Sequence, residues 1–243
     1  MYGGTGNDIF TVNQANDTVK EYTNQGVDEV RSYVSYTLPD NVENLTLIDE
    51  WGFDPDSSAT GNELANTLIG NNGDNTLTGL SGDDDITGND GDDILNGGAG
   101  NDVIWGNDGS DRISGGTGND FLWGGAKADV LSGGSGTDTF YFYQPSDGHD
   151  SITDFQSGID KIWVKSANFE NLSLGLLTAD RFISGSNPTP TNGNAGFLYN
   201  TSTGVLTFDS NGNSGIDSWG QTAIATLVTR PSNFSYSDIQ IVA

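Results

Sequence analysis

Between Gly61 and Tyr141 an Asp or Asn returns at every ninth residue: Asn66, Asn75, Asp84, Asp93, Asp102, Asp111, Asp120, Asp129 and Asp138. A carboxylate on a one-carbon arm is a hard oxygen donor, so a regular row of them is suited to binding cations. The same frame carries Gly at its first position in every block and Gly at its fourth position in seven of nine. Glycine turns expose backbone carbonyls, which are further oxygen donors, and allow two backbones to approach closely. The eighth position is always large and apolar: Leu68, Leu77, Ile86, Leu95, Ile104, Ile113, Leu122, Leu131 and Phe140.

These residues need elements that hold them in register. Positions 7 to 9 read as a short strand with position 8 inward and its neighbours outward, and positions 1 to 6 read as a turn. Two nonapeptides then make one coil of about 18 residues, and alternate blocks stack on the same side. The coil is expected to be right-handed, like other parallel crossovers. Stacking brings the position-6 carboxylates together. Two bare carboxylates at ~4 Å repel by about 4 kcal/mol at an effective dielectric near 20, so the stack requires a cation. Calcium takes 6 to 8 oxygens in flexible geometry, whereas magnesium demands a rigid octahedron and retains its waters. One inward apolar side chain per nine residues is too little to order the chain, so cation binding free energy is expected to serve as folding free energy.

The blocks GGAGNDVIW, GNDGSDRIS and GGTGNDFLW, with a further copy GGTGNDIFT at Gly3 to Thr11, resemble the RTX family, whose nonapeptide is GGxGxDxUx with U a large apolar residue. The resemblance implies an all-β fold: a right-handed parallel β-roll (a β-helix of calcium-binding nonapeptide repeats) with a C-terminal antiparallel β cap. It implies calcium between turn n and turn n+2. Asp84 then pairs with Asp102, Asp102 with Asp120 and Asp120 with Asp138; on the other side Asp93 pairs with Asp111 and Asp111 with Asp129. That makes five fully acidic sites, with carbonyls from the turn glycines Gly82, Gly91, Gly97, Gly98, Gly100, Gly106, Gly109, Gly115, Gly116, Gly118, Gly133, Gly134 and Gly136. The pairs Asn66/Asp84 and Asn75/Asp93 lack one charge and are expected to bind more weakly, and Lys127 interrupts the position-4 glycines beside Asp111/Asp129. The stretch from Asp147 to Val164 resembles the segment that closes many RTX rolls, with Asp150, Asp154 and Asp160 as candidate ligands for one more ion. The C-terminal part resembles the cap of serralysin-type proteases. The ending PSNFSYSDIQIVA resembles the C-terminal address read by type I secretion systems, which are then an expected partner. The implied location is extracellular and bacterial, with possible attachment at the cell surface, and folding would follow export.

Composition limits the alternatives. The chain carries 34 acidic and 8 basic residues, a net charge of -26, which argues against nucleic acid as a partner because phosphate would be repelled. An acidic, Gly-rich chain could be disordered, but a strict nine-residue period argues for a fold. The absence of cysteine removes disulfides and thiolate chemistry. No apolar run reaches the ~18 residues of a membrane span, and the first residues have no signal-peptide character. His149 is the only histidine, HExxH and GxSxG are missing, and no catalytic role is expected. Asp209 to Asn213 followed by Asp217 resembles an EF-hand loop but lacks its Gly at position 6 and Glu at position 12; a polar hairpin loop is the default.

Three regions follow: residues 1–60, a first repeat copy and an irregular β-roll segment; residues 61–141, the nine tandem repeats; residues 142–243, a closing segment, β cap and secretion signal. In the first, Asp28 to Val30, Tyr33 to Leu38 and Val42 to Ile48 have strand-like spacing, and Asp54, Asp56, Ser57 and Ser58 read as a loop. In the last, Arg181 to Ile183, Phe197 to Tyr199, Val205 to Phe208 and Ala223 to Val228 read as strands. One outer face gathers Val103, Trp105, Phe121, Trp123 and Tyr141. Such a patch suggests cover by another segment, self-association, or a glycan platform at Trp105/Trp123. The function expected first is a calcium-dependent folding and secretion module. The alternative is a polysaccharide- or surface-binding module, the tail of a secreted enzyme or adhesin.

Overall fold

The computed structural model describes residues 1–49, 56–169, 172–189, 195–211 and 220–243. The expected loop residue Asp54 and residues 212–217 of the EF-hand-like stretch lie outside the described residues. The strands of the N-terminal part are β1 (Ile9–Val12), β2 (Glu29–Ser32), β3 (Tyr36–Thr37), β4 (Asn44–Leu47) and β5 (Ser58–Thr60). The repeats supply β6 (Thr67–Ile69), β7 (Thr76–Ser81), β8 (Asp85–Asp90), β9 (Ile94–Ala99), β10 (Val103–Asp108), β11 (Arg112–Thr117), β12 (Phe121–Ala126), β13 (Val130–Ser135) and β14 (Thr139–Phe142). The C-terminal part adds β15 (Asp150–Ile152), β16 (Lys161–Lys165), β17 (Gly175–Leu176), β18 (Phe182–Gly185), β19 (Gly196–Asn200), β20 (Val205–Asp209), β21 (Gln221–Leu227) and β22 (Ile239–Val242).

The chain is an all-β parallel solenoid, and successive repeats alternate between two sheets. One runs β1-β2-β4-β6-β8-β10-β12-β14-β16-β22-β17 and the other β18-β19-β20-β21-β15-β13-β11-β9-β7-β5-β3. Within the repeats the register step is two nonapeptides: Val103 pairs with Phe121, and Arg112 with Val130. Position 8 forms the core. Leu68, Ile86, Ile104, Leu122 and Phe140 line one sheet, Leu77, Leu95, Ile113 and Leu131 the other, and all nine are buried. The two rows meet between the sheets, so each coil buries two apolar side chains and little else.

Strands in the repeats are longer than the sequence pattern suggests. They run from position 7 through position 3 of the next block, as in Asp85–Asp90, and the turn shrinks to positions 4 to 6. Extended pairing continues across the block boundary because position 2 adopts a left-handed backbone: Asn89 at φ 80°, Asn107 at 75° and Gly116 at 115°. Asn and Gly tolerate that region. Leu80 occupies it too, at φ 82°.

The N-terminal segment stacks in the same roll with irregular loops. Ile9 pairs with Glu29, Glu29 with Asn44 and Asn44 with Thr67, all parallel. Ser58 is not in a loop: it opens β5, which pairs with β7 through Ser58 and Thr76, and Ser57 beside it is buried. At the C-terminus the roll ends in mixed pairing. β19, β20 and β21 pair antiparallel in succession, with the expected turn at residues 201–204 joining the first two, and β21 pairs in parallel with β15. The last strand, β22, inserts between β16 (parallel) and β17 (antiparallel). The closing antiparallel strands were legible as expected; the insertion of β22 was not.

Candidate metal-binding columns

Each stacked Asp is positioned by the strand it precedes. Position 6 sits at the foot of a strand, and the parallel ladder places it one coil above its counterpart. One carboxylate oxygen is then used structurally. Asp102 Oδ1 accepts the Asp84 amide at 2.9 Å, Asp120 Oδ1 the Asp102 amide at 2.9 Å, and Asp138 Oδ1 the Asp120 amide at 3.0 Å. On the other sheet Asp111 Oδ1 accepts from Asp93 at 2.8 Å and Asp129 Oδ1 from Asp111 at 2.7 Å. The Asn positions keep the same bond: the Asn66 and Asn75 amides donate to Asp84 and Asp93 at 2.8 and 2.7 Å.

The second oxygen is different. Oδ2 of Asp84, Asp93, Asp102, Asp111, Asp120 and Asp129 is buried and has no hydrogen-bond partner. A buried carboxylate oxygen without a donor is costly. Beside it lies the space left by the position-1 glycine. A methyl group added at Gly97 would come within 2.2 Å of Asp102 Oδ2 and 2.7 Å of the Gly115 carbonyl oxygen. At Gly106 the neighbours are Asp111 Oδ2 at 2.3 Å and the Gly124 carbonyl at 2.3 Å. The cradles at Gly79, Gly88, Gly97 and Gly106 each combine an orphaned carboxylate oxygen with a carbonyl from the next coil, an oxygen-only donor set that fits calcium and offers nothing to a soft metal. Among the described residues no group of three or more His, Cys, Asp or Glu side chains gathers around one point, so carbonyls must complete any coordination sphere. The position-4 glycines allow close stacking: added methyls at Gly118 and Gly136 would strike the carbonyls of Gly100 and Gly118.

Burial pushes the carboxyls of Asp84 and Asp93 up to about 7 and those of Asp111 and Asp120 up to about 6. The amide bonds described above oppose the shift, and neighbouring carboxylates add to it. Asp102 and Asp138 are raised for the same first reason. Without a cation the columns therefore take up protons at a higher pH than ordinary aspartates do, as desolvated like charges must.

The closing segment extends both columns. Asp160 Oδ1 accepts the Asp138 amide and Asp150 Oδ1 the Asp129 amide, each at 3.1 Å. Burial raises both Asp129 and Asp150; the charge of Asp111 adds to the first and the charge of Asp129 to the second, while a hydrogen bond from Asp150 opposes the rise at Asp129. Asp154 differs from its two neighbours: its oxygens accept Ser132 Oγ at 2.6 Å, the Gly133 amide at 3.0 Å and the Gly134 amide at 2.8 Å. It seals the last repeat turn with protein donors. Lys127 takes a glycine-like φ of 75° and turns its ammonium outward to Asp92 at 3.6 Å, leaving the Asp111–Asp129 contact intact. His149 is exposed and pairs with Thr226 Oγ1 at 2.8 Å. In the EF-hand-like stretch Asp209 Oδ1 accepts the Asn211 amide at 3.1 Å, an ordinary Asx turn.

The aromatic face is a ladder. Trp105 meets Phe121 and Trp123 at 5.4 Å between ring centroids, and Phe121 meets Tyr141 at 5.5 Å. Trp105 and Trp123 are partly buried, covered largely by these neighbours and, for Trp123, by Tyr143 and Asp147.

Comparison with known proteins agrees with this geometry. The RTX calcium-binding nonapeptide repeat matches in four copies, over residues 1–20, 60–95, 87–122 and 114–143. Two curated proteins of Rhizobium meliloti (strain 1021) are similar over part of the chain. Endo-1,3-1,4-beta-glycanase ExsH is 38% identical over 73 residues, 30% of this chain and 15% of that protein. Endo-1,3-1,4-beta-glycanase EglC is 34% identical over 70 residues, 29% of this chain and 14% of that protein. The chain thus spans only a small part of the curated relatives it matches. Repeat period, stacked carboxylates and matched copies together identify residues 1–20 and 60–143 as RTX calcium-binding nonapeptide repeats.

Proposed function

We propose that this chain is a calcium-loaded β-roll module that folds when it meets calcium after export and stabilises the secreted protein that carries it. The observation that carries the reading is the row of buried, unpartnered Oδ2 atoms beside glycine cradles, repeated at 18-residue spacing. Calcium would be held by the pairs Asp84/Asp102, Asp102/Asp120, Asp120/Asp138, Asp93/Asp111 and Asp111/Asp129 with position-1 carbonyls. Asp129/Asp150 and Asp138/Asp160 extend the same columns. The ion supplies charge neutralisation and a cross-link between coils. Among the described residues no helix is long and apolar enough to cross a membrane. A calcium titration of the full chain followed by circular dichroism tests the reading: β signal should appear cooperatively with calcium and disappear in excess chelator. A roll that persists metal-free at pH 8 would overturn it.

A second reading has its own support. Both curated relatives are named as endo-1,3-1,4-beta-glycanases, and the ladder of Trp105, Phe121, Trp123 and Tyr141 is an aromatic surface of the kind that sugar rings stack on. In this reading the roll is the tail of a secreted glycan-active protein and touches a neutral polysaccharide. A net charge of -26 disfavours an anionic one. A glycan-binding screen with and without calcium decides it: calcium-dependent retention that Trp105→Ala abolishes is expected, and equal retention by that variant rejects the ladder as the contact.

A further inference from the structure

The carboxylate column on the first sheet does not start at Asp84. It continues toward the N-terminus through the irregular coils, where the spacing is no longer nine. The Asp8 amide donates to Asp28 Oδ1 at 2.8 Å, and the Asp28 amide donates to Glu43 Oε2 at 2.8 Å, the same bond that joins the repeat aspartates. At the first coil the cradle itself changes. A methyl group added at Gly3 would come within 2.4 Å of Asp8 Oδ2 and 2.4 Å of Glu21 Oε1. Glu21 therefore stands where the cradles at Gly79, Gly88, Gly97 and Gly106 have a backbone carbonyl, so two carboxylates face one space instead of one.

Glu21 and Asp28 are withdrawn from solvent, and Asp8 is partly buried. Glu21 is 4% exposed and Asp28 1%. Glu21 Oε1 accepts the Gly3 amide at 2.9 Å, but Asp8 Oδ2, Glu21 Oε2 and Asp28 Oδ2 are buried with no partner. No ion pair reaches them among the described residues. The opposite pole of the same column shows how the fold closes it when no cation is required. There Asp238 accepts Ser157 Oγ at 2.7 Å, the Gly158 amide at 3.0 Å and the Ser235 amide at 3.0 Å, and Lys161 lies at 3.8 Å. Among the described residues no comparable set of donors is supplied to the orphaned oxygens at the N-terminal pole.

We propose that Asp8 and Glu21, backed by Asp28, form an additional divalent-cation site that clamps the first coil of the roll onto the second. Gly3 and Asp8 lie in the first matched repeat copy, but Glu21 and Asp28 lie outside every copy, so the irregular segment completes this site and gains a role from it. An oxygen-only set with adjacent carboxylates suits calcium, and the choice of cation rests on the calcium reading of the repeats. The site is expected to be the roll's N-terminal closure, since a repeat stack requires its ends covered.

The test counts calcium bound per full-length chain by equilibrium dialysis and follows amide hydrogen exchange over residues 1–30. Glu21→Gln should bind one ion fewer than the natural chain and lose calcium-dependent protection of residues 1–30, while protection of the repeats is unchanged. Glu21→Lys, which brings its own positive charge, should also lose the ion yet keep residues 1–30 protected in chelator-treated samples better than the natural chain does. Unchanged ion counts and unchanged N-terminal protection in both variants overturn the proposal. Asp102→Asn serves as the reference for the repeats: a natural chain that binds no calcium at all sinks the functional reading, whereas ions lost in Asp102→Asn but not in Glu21→Gln sink this inference alone.

Discussion

Each aspartate in a column does two jobs with two oxygens, and this makes neighbouring sites interdependent. Asp120 Oδ1 fixes the Asp102 amide while the Asp120 amide is fixed by Asp138. Asp120→Ala is therefore expected to weaken both adjacent ions, and calorimetry should register two lost sites; loss of a single site would contradict the shared arrangement. Leu80 presents a separate case. It holds a φ of 82° where equivalent positions use Asn or Gly, and it is 45% exposed, so its side chain gives little in return. A left-handed residue other than Gly or Asn costs roughly 1–2 kcal/mol. Leu80→Asn should raise stability in saturating calcium by about 1 kcal/mol, measured by chemical denaturation.

At the level of elements, the last strand is the informative one. β22 lies between β16 and β17, and Ile239 and Ile241 are buried against the roll. Burial of two such side chains contributes about 3–6 kcal/mol. Removing residues 239–243 would also open the edge of β16 that Asp160 leads into. The truncated chain is expected to need more calcium to fold, seen as a shifted midpoint in circular dichroism; an unchanged midpoint would mean that the terminal strand docks passively. The position-2 left-handed kink matters here as well. It lets a strand continue into the next block, so repeats share longer ladders than three-residue strands could provide.

For the whole molecule, the raised carboxyls set a pH dependence with a definite sign. In calcium-free protein the folded carboxyls titrate near about 6 to about 7, and unfolded ones near about 4. The folded state binds more protons, so metal-free stability is highest below the unfolded value and is lost as pH rises through the folded values. In chelator, β signal should therefore be greater at pH 4.5 than at pH 8. Protons and calcium compete for the same oxygens, so the calcium midpoint should rise as pH falls below about 7. Titrations at several pH values check both; a midpoint independent of pH would separate the carboxyls from the calcium sites.

The sequence by itself determined the coil. A period of nine with one inward apolar residue and one acid leaves little choice about which residues face the core and which stack, because a one-residue slip would invert every side chain. It also separated Asp84 to Asp138 as a set. Tertiary structure decided what local spacing cannot carry. Glu29 follows Ile9 by a long loop, yet the two pair, and Ile162 pairs with Ile239 far along the chain. Such registers are chosen by hydrogen bonding between distant strands, so the role of Glu21 beside Asp8 left no periodic signal. The same reason separates Asp154 from Asp150 and Asp160. All three are acids in one short segment, but only the fold brings Ser132, Gly133 and Gly134 to Asp154 and leaves the others in line with the columns.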